Sequence, residues 1–188
     1  IHKLIELNLN KNKKYNHLLR IAVNRKLISI SIRKKLKLKK NFNLNLIKYK
    51  RTKPQFKNLM YKEILKLLLK EDVKSSDIGI CYNNCILETA TANILFVKKN
   101  KIYSPAKSFY KGITLKFFEK KIKKIIKKNV LLKSLSIYDE IILIGSGKGV
   151  VSIKSIKKLN WNRKSSKTYR YLLKIYQEAV TNCPRYYG

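Results

Sequence analysis

Glu88 is one of 10 acidic side chains facing 45 lysines and arginines. It stands just ahead of a small, hydroxylated run, Thr89-Ala90-Thr91-Ala92, which is followed by Asn93 and the apolar Ile94–Val97. What a lone carboxylate at the mouth of two strands does in so basic a chain is the chemical question this sequence poses. Two stretches further on suit an anion. In Gly112-Ile113-Thr114 a flexible glycine opens a helix whose first N–H groups lack intrahelical partners and whose dipole favours negative charge, and Thr114 adds a hydroxyl. In Gly145-Ser146-Gly147-Lys148-Gly149, after the strand-like Ile141–Ile144, Ser146 lies between two glycines, suited to cradle one oxyanion.

Neither stretch is a nucleotide motif. A P-loop needs a glycine five residues before its Gly-Lys pair, and Ile142 occupies that place; Gly149 also follows Lys148 where Ser or Thr is required. The dinucleotide fingerprint fails because a strand-like Val-Val-Ser-Ile, not a helix, follows the glycines. Taken singly, each stretch also reads as a helix cap or a structural turn. Two such sites beside a lysine and a glutamate amount to more than a cap.

Metal and disulfide chemistry find little support. Cys81, Cys85 and Cys183 have no repeated spacing, and His2 and His17 are remote from them in sequence, so no metal site is expected and the thiols read as free and cytosolic. The formal charge of +35 suggests a polyanion partner. However, lysine, asparagine and isoleucine are abundant along the whole chain, which favours compositional drift over a nucleic-acid patch. No apolar run is long enough for a transmembrane helix, so a soluble cytoplasmic protein of one main domain is expected. The opening on Ile1 is read as a sign of a missing N-terminal part.

These groups need elements to hold them. Residues 1–19 read as the end of a helix, with Arg20–Val23 and Leu27–Ile32 as strands and Arg33–Asn45 as a strand pair with one solvated face. After the break at Pro54, Leu59, Ile64, Leu67 and Leu68 give a helix over 58–70, entered by a loop bearing Lys57. Asn83-Asn84 and Lys99-Asn100 read as tight turns of a strand meander. Leu115, Phe118, Ile122, Ile125 and Ile126 predict an amphipathic helix after Gly112, and a last helix spans 166–180.

With the elements in place, the order Glu88, Asn93-Ile94, Tyr103-Ser104-Pro105, Gly112-Ile113-Thr114, then Asp139-Glu140 and Gly145-Ser146-Gly147, resembles the class IV aminotransferases. These are pyridoxal-phosphate enzymes of fold type IV, among them branched-chain and D-amino-acid aminotransferases and aminodeoxychorismate lyase. Leu95, Ser104 and Leu115 depart from the usual residues of that pattern. The resemblance implies an α+β fold in which residues 20–188 form the large cofactor-binding domain and 1–19 a remnant of the small N-terminal domain and linker. It also implies a homodimer and a cytoplasmic enzyme of small-molecule amino-acid or aminodeoxychorismate-like substrates, with nucleic acid not expected as a partner.

By the same resemblance, Glu88 lies under the pyridinium nitrogen of pyridoxal 5'-phosphate, Ile113, Thr114 and Ser146 cradle the phosphate, and Tyr61 is an aromatic partner of the cofactor. Gly147 and Lys148 face the substrate. Lys57 is the Schiff-base lysine; Lys53 is its rival, and aligning Asn58 to the family's asparagine places Gln55 there instead, which would leave no such lysine. The implied reaction is that of aminodeoxychorismate lyase on the folate route, releasing pyruvate and 4-aminobenzoate. The alternatives are a branched-chain or D-amino-acid aminotransferase, or an inactive basic nucleic-acid-binding protein.

Overall fold

The computed structural model describes residues 2–8, 17–58 and 60–184. The chain divides into two compact units, residues 1–37 with 183–188, and residues 38–182. The first holds α1 (His2–Asn8) and an antiparallel hairpin of β1 (His17–Val23) and β2 (Ile28–Lys34). His17–Leu19, expected to close a helix, are strand because they pair with Ile32–Lys34 across the hairpin. Its turn is held by the Asn24 side chain, which accepts the N–H groups of Lys26 and Leu27 at 2.8 and 2.7 Å.

The second unit is a mixed α and β fold built on one long sheet. Its elements are β3 (Phe42–Lys48), α2 (Lys62–Leu68), β4 (Ser76–Tyr82), β5 (Cys85–Thr89), β6 (Asn93–Lys98) and β7 (Lys101–Ser104). They continue with α3 (Ile113–Lys121), β8 (Ile125–Lys127), β9 (Val130–Leu131), β10 (Glu140–Gly145), β11 (Gly149–Ile156), β12 (Trp161–Asn162) and α4 (Lys167–Thr181). The sheet order is β8-β7-β6-β10-β11-β3-β4-β5-β9, with β12 paired to β11. Most neighbours are antiparallel, but β3 lies parallel to both β11 and β4, and β8 lies parallel to β7.

Strand periodicity distributes the core onto two faces. Ile94, Phe96, Ile141 and Leu143 join Phe42, Leu44, Ile86 and Ile153 in one cluster. Leu95, Val97, Ile142 and Ile144 join Leu115 and Phe118 of α3 and Leu172 of α4 in the other. Both faces of β6 and β10 are covered, which is why Ile141–Ile144 read as an unbroken apolar run with every residue fully buried.

Three further expectations change at the level of elements. Of the pair expected over Arg33–Asn45, Arg33 and Lys34 end β2 and residues 35–41 form no strand; with Phe42 and Leu44 buried between two parallel neighbours, β3 is an interior strand rather than half of a solvated pair. The helix after Gly112 stops at Lys121, because Ile122 is extended and Ile125 and Ile126 pair with Ile102 and Tyr103 as β8. The helix after Pro54 covers only Lys62–Leu68 and buries Ile64; Leu59 lies outside the described residues. Both predicted turns form as expected, with positive φ at Asn83, Asn84, Lys99 and Asn100. Among the described residues no helix is long and apolar enough to cross a membrane.

Burial also sets thiol chemistry. It pushes the Cys81 thiol up to about 11 and raises Cys85 too, whereas Cys183 is exposed. A thiol reagent at mild alkaline pH is therefore expected to label Cys183 alone in the folded protein and all three after denaturation, read by peptide mass spectrometry. Early labelling of Cys81 would show that the β4–β5 hairpin opens readily.

Candidate active site

The Glu88-to-Asn93 stretch closes β5, turns, and opens β6. Thr89 makes the turn: its N–H bonds to the Ala92 carbonyl at 2.9 Å, and its hydroxyl accepts the Ala92 N–H at 2.9 Å. Asn93, 5% exposed, then reaches the loop before α3, donating to the Tyr110 carbonyl at 2.5 Å and accepting the Gly112 N–H at 2.9 Å. A Cβ at Gly112 would come within 2.8 Å of the Asn93 Oδ1, so only glycine permits this approach. One amide thus sets where α3 begins and where the N–H groups of Ile113 and Thr114 lie. Thr114 is buried and Ile113 exposed.

Glu88 itself is 3% exposed. Its Oε2 accepts from Arg51 Nη1 at 2.9 Å and from the Tyr110 N–H at 3.3 Å. Its Oε1 and the Arg51 Nε are buried without any protein partner. Burial pushes the Glu88 carboxyl above its usual range, against the opposing pull of the Arg51 charge and the Tyr110 N–H. The Arg51 guanidinium lies 5.7 Å from the centre of the Tyr61 ring, and Lys57 Nζ lies 6.0 Å from the centre of the Tyr110 ring. Glu88, Tyr61 and Lys57 are therefore joined through Arg51 and Tyr110.

The loop bearing the lysines is pinned from within. Asn58 donates to the carbonyls of Thr52 and Lys53 at 3.0 and 3.2 Å, and Lys53 has a positive φ of 45°. Lys53, Gln55 and Lys57 are all exposed. A cavity of about 210 Å³ opens beside Arg51 and Glu88, walled by Tyr49, Pro54, Ile80, Tyr82 and Ser108 among others.

The β10–β11 turn places Ser146 and Gly147 on the surface, and Gly149 closes it with a φ of 71°. It abuts the Glu88–Asn93 stretch, since a Cβ at Gly145 would stand 3.4 Å from Ala92 Cβ, and Ile144 pairs with Asn93. Lys148 is turned inward from this turn. Its Nζ lies 3.3 Å from Asp77 Oδ2 and 4.5 Å from the centre of the Phe42 ring, without the alignment of a hydrogen bond. Arg51, Tyr110 and Asp77 were not singled out in the sequence. Arg51 is 37 positions from Glu88 in a run of basic residues, and no local pattern separates it from its neighbours.

Among the described residues no group of histidines, cysteines and carboxylates could hold a metal ion. The site instead offers a carboxylate oxygen awaiting a donor, a helix N-terminus and a serine-bearing turn. The family profile described as amino-transferase class IV matches residues 1–156. The chain belongs to the class IV aminotransferase family. No curated protein matches it.

Solved class IV structures share the fold. A putative branched-chain amino acid aminotransferase from Thermotoga maritima superposes with a TM-score of 0.67 at 18% identity, over 83% of this chain and 62% of its own. A putative 4-amino-4-deoxychorismate lyase from Legionella pneumophila gives 0.64 at 18% identity, over 79% and 60%. An aminotransferase from Brucella abortus, bound to the cofactor PLP, gives 0.64 at 17%, over 80% and 58%. The chain thus spans about 62% of the length of the first of these relatives.

The Arg51–Glu88 pair is nearly enclosed, with side chains 12% and 5% exposed. Arg51→Met strands a buried carboxyl and is expected to lower the unfolding free energy at neutral pH by about 3 kcal/mol. Arg51→Met with Glu88→Gln should recover most of the loss. Because wild-type Glu88 already titrates above its usual range and loss of Arg51 raises it further, the deficit of the single variant should shrink where both proteins hold the carboxyl protonated and grow as pH rises through the wild-type folded value. Urea denaturation at several pH values measures both.

Proposed function

We propose that this chain is the cofactor-binding part of a pyridoxal-phosphate-dependent lyase similar to aminodeoxychorismate lyase, releasing pyruvate and 4-aminobenzoate. The observation that carries the cofactor reading is the orphaned Oε1 of buried Glu88, an acceptor that a protonated pyridine nitrogen would satisfy. The residues present fit the group: a carboxylate at one end, and the N–H groups and hydroxyl of the α3 N-terminus at the other. Pyridoxal phosphate, when bound, supplies an electron sink for bonds broken at the amino-bearing carbon of the substrate.

The protein's own residues supply the rest. Glu88 holds the proton on the ring nitrogen, and Arg51 keeps that carboxylate oriented by occupying its other oxygen. Lys57 would provide the amine that holds the cofactor and moves a proton at the substrate carbon. Tyr61 packs beside Arg51 at the ring end. Ile113 and Thr114 offer N–H and hydroxyl donors to the phosphate, joined by Ser146. Gly147 and the backbone of Lys148 complete the substrate side of the same turn. The same reading makes the enzyme a homodimer.

Pro54-Gln55-Phe56 ahead of Lys57, and Ile144-Gly145-Ser146-Gly147 after the acidic pair, support the lyase. The rival reading, an aminotransferase of branched-chain or D-amino acids, is supported by the likeness to the Thermotoga maritima structure. The test is to load the complete protein with pyridoxal phosphate, reduce with borohydride and map the modified lysine. A pyridoxyl group on Lys57 is expected. Modification at Lys53 would move the covalent site within the same class, and no specific adduct would refute the enzyme reading and favour the basic nucleic-acid-binding alternative. Release of pyruvate with 4-aminobenzoate, against amino transfer to a 2-oxo acid, then decides between lyase and aminotransferase.

A further inference from the structure

Beneath the exposed β10–β11 turn lies a polar cluster that the reading above leaves without a role. Asp77 on β4 is fully buried. Its Oδ2 accepts the hydroxyls of Thr89 at 2.8 Å and Thr91 at 2.7 Å and faces Lys148 Nζ at 3.3 Å, while Oδ1 accepts its neighbour's N–H from Ile78 at 2.8 Å. The Lys148 side chain is 10% exposed and its ammonium makes no hydrogen bond. A lysine and an aspartate this enclosed lose the hydration of both charges, and such a pair adds little net stability. A well-packed apolar pair would serve a mere core position as well.

What the charges do achieve is geometric. Thr89 and Thr91 belong to the turn between Glu88 and Asn93, and Lys148 belongs to the turn carrying Ser146. One carboxylate therefore fixes both turns at once. We propose that Asp77 is a positioning residue that, through Thr89, Thr91 and Lys148, sets the spacing between Glu88 at the ring end of the cofactor and Ser146 at its phosphate end. This rests on the cofactor reading above. Asp77 touches neither cofactor nor substrate; it determines whether the two ends of one rigid ligand can be held together.

The test compares ligands that differ only at the phosphate. The complete protein is titrated with pyridoxal phosphate and with pyridoxal, following the absorbance of the bound ring, alongside thermal melting. The variants are Thr91→Val and the charge-free pair Asp77→Asn with Lys148→Met. Thr91→Val removes one hydrogen bond to a charged carboxylate and the double variant removes the Asp77–Lys148 ion pair; each is expected to weaken pyridoxal phosphate binding by about tenfold, with pyridoxal affinity unchanged. Wild-type affinity for both ligands, or an equal fall for both with a lowered melting temperature, would overturn the proposal in favour of a purely structural cluster. If the double variant does not fold, Thr91→Val alone gives the same decision. A wild-type protein that binds neither ligand overturns the cofactor reading itself, and this proposal with it.

Discussion

The Asn93 side chain is the contact on which the rest of the site depends. Its amide satisfies one carbonyl and one N–H of the loop before α3, and it does so from the first residue of a strand locked between β7 and β10. A loop held only by its own turns would leave the helix start free to shift; held from a core strand, it has the precision of the sheet. Tyr110, fixed by the same bond, returns its N–H to Glu88. The helix N-terminus and the buried carboxylate are thereby referred to one origin, and the Gly145–Ala92 contact refers the second turn to it as well.

Against that frame, the electrostatics of Glu88 follow from an imbalance. A glutamate this deeply buried is destabilised as an anion, and one guanidinium with one long N–H contact does not fully offset the loss of water. The carboxyl keeps an oxygen unsatisfied and a raised affinity for a proton. An apolar-lined site with one such group is typical of places where proteins hold a polar ligand rather than of structural ion pairs, which satisfy both oxygens.

The sequence revealed most where chemistry and periodicity act locally. Asn83-Asn84 and Lys99-Asn100 announced their turns because few side chains tolerate positive φ, and Glu88, Asn93 and Gly112 stood out through the order of residues that resembles the family, whereas the amide clamp and the close approach became visible only in the structure. The errors came where neighbours distant in sequence decide. Ile122, Ile125 and Ile126 keep helical spacing, yet pairing with β7 wins for Ile125 and Ile126; Leu36 and Leu38 alternate as a strand would, yet residues 35–41 join no strand ladder. Arg51 and the inward turn of Lys148 were illegible for the same reason: in a chain with 45 basic side chains, which of them is buried is settled by tertiary partners alone.

The placement of β3 has a further consequence for how the chain reaches this state. β3 lies between β4 and β11, and its register with β11 joins Phe42 to Ile153, 111 positions later. During synthesis this fully buried aromatic must wait, with one edge of its strand unpaired, until nearly the whole unit has left the ribosome. Closing so long a loop for a parallel pairing is slow and leaves an apolar edge open to other chains. In a polypeptide this rich in lysine, mutual repulsion between nascent chains guards that edge while it waits, so the positive charge serves folding even if it serves no ligand.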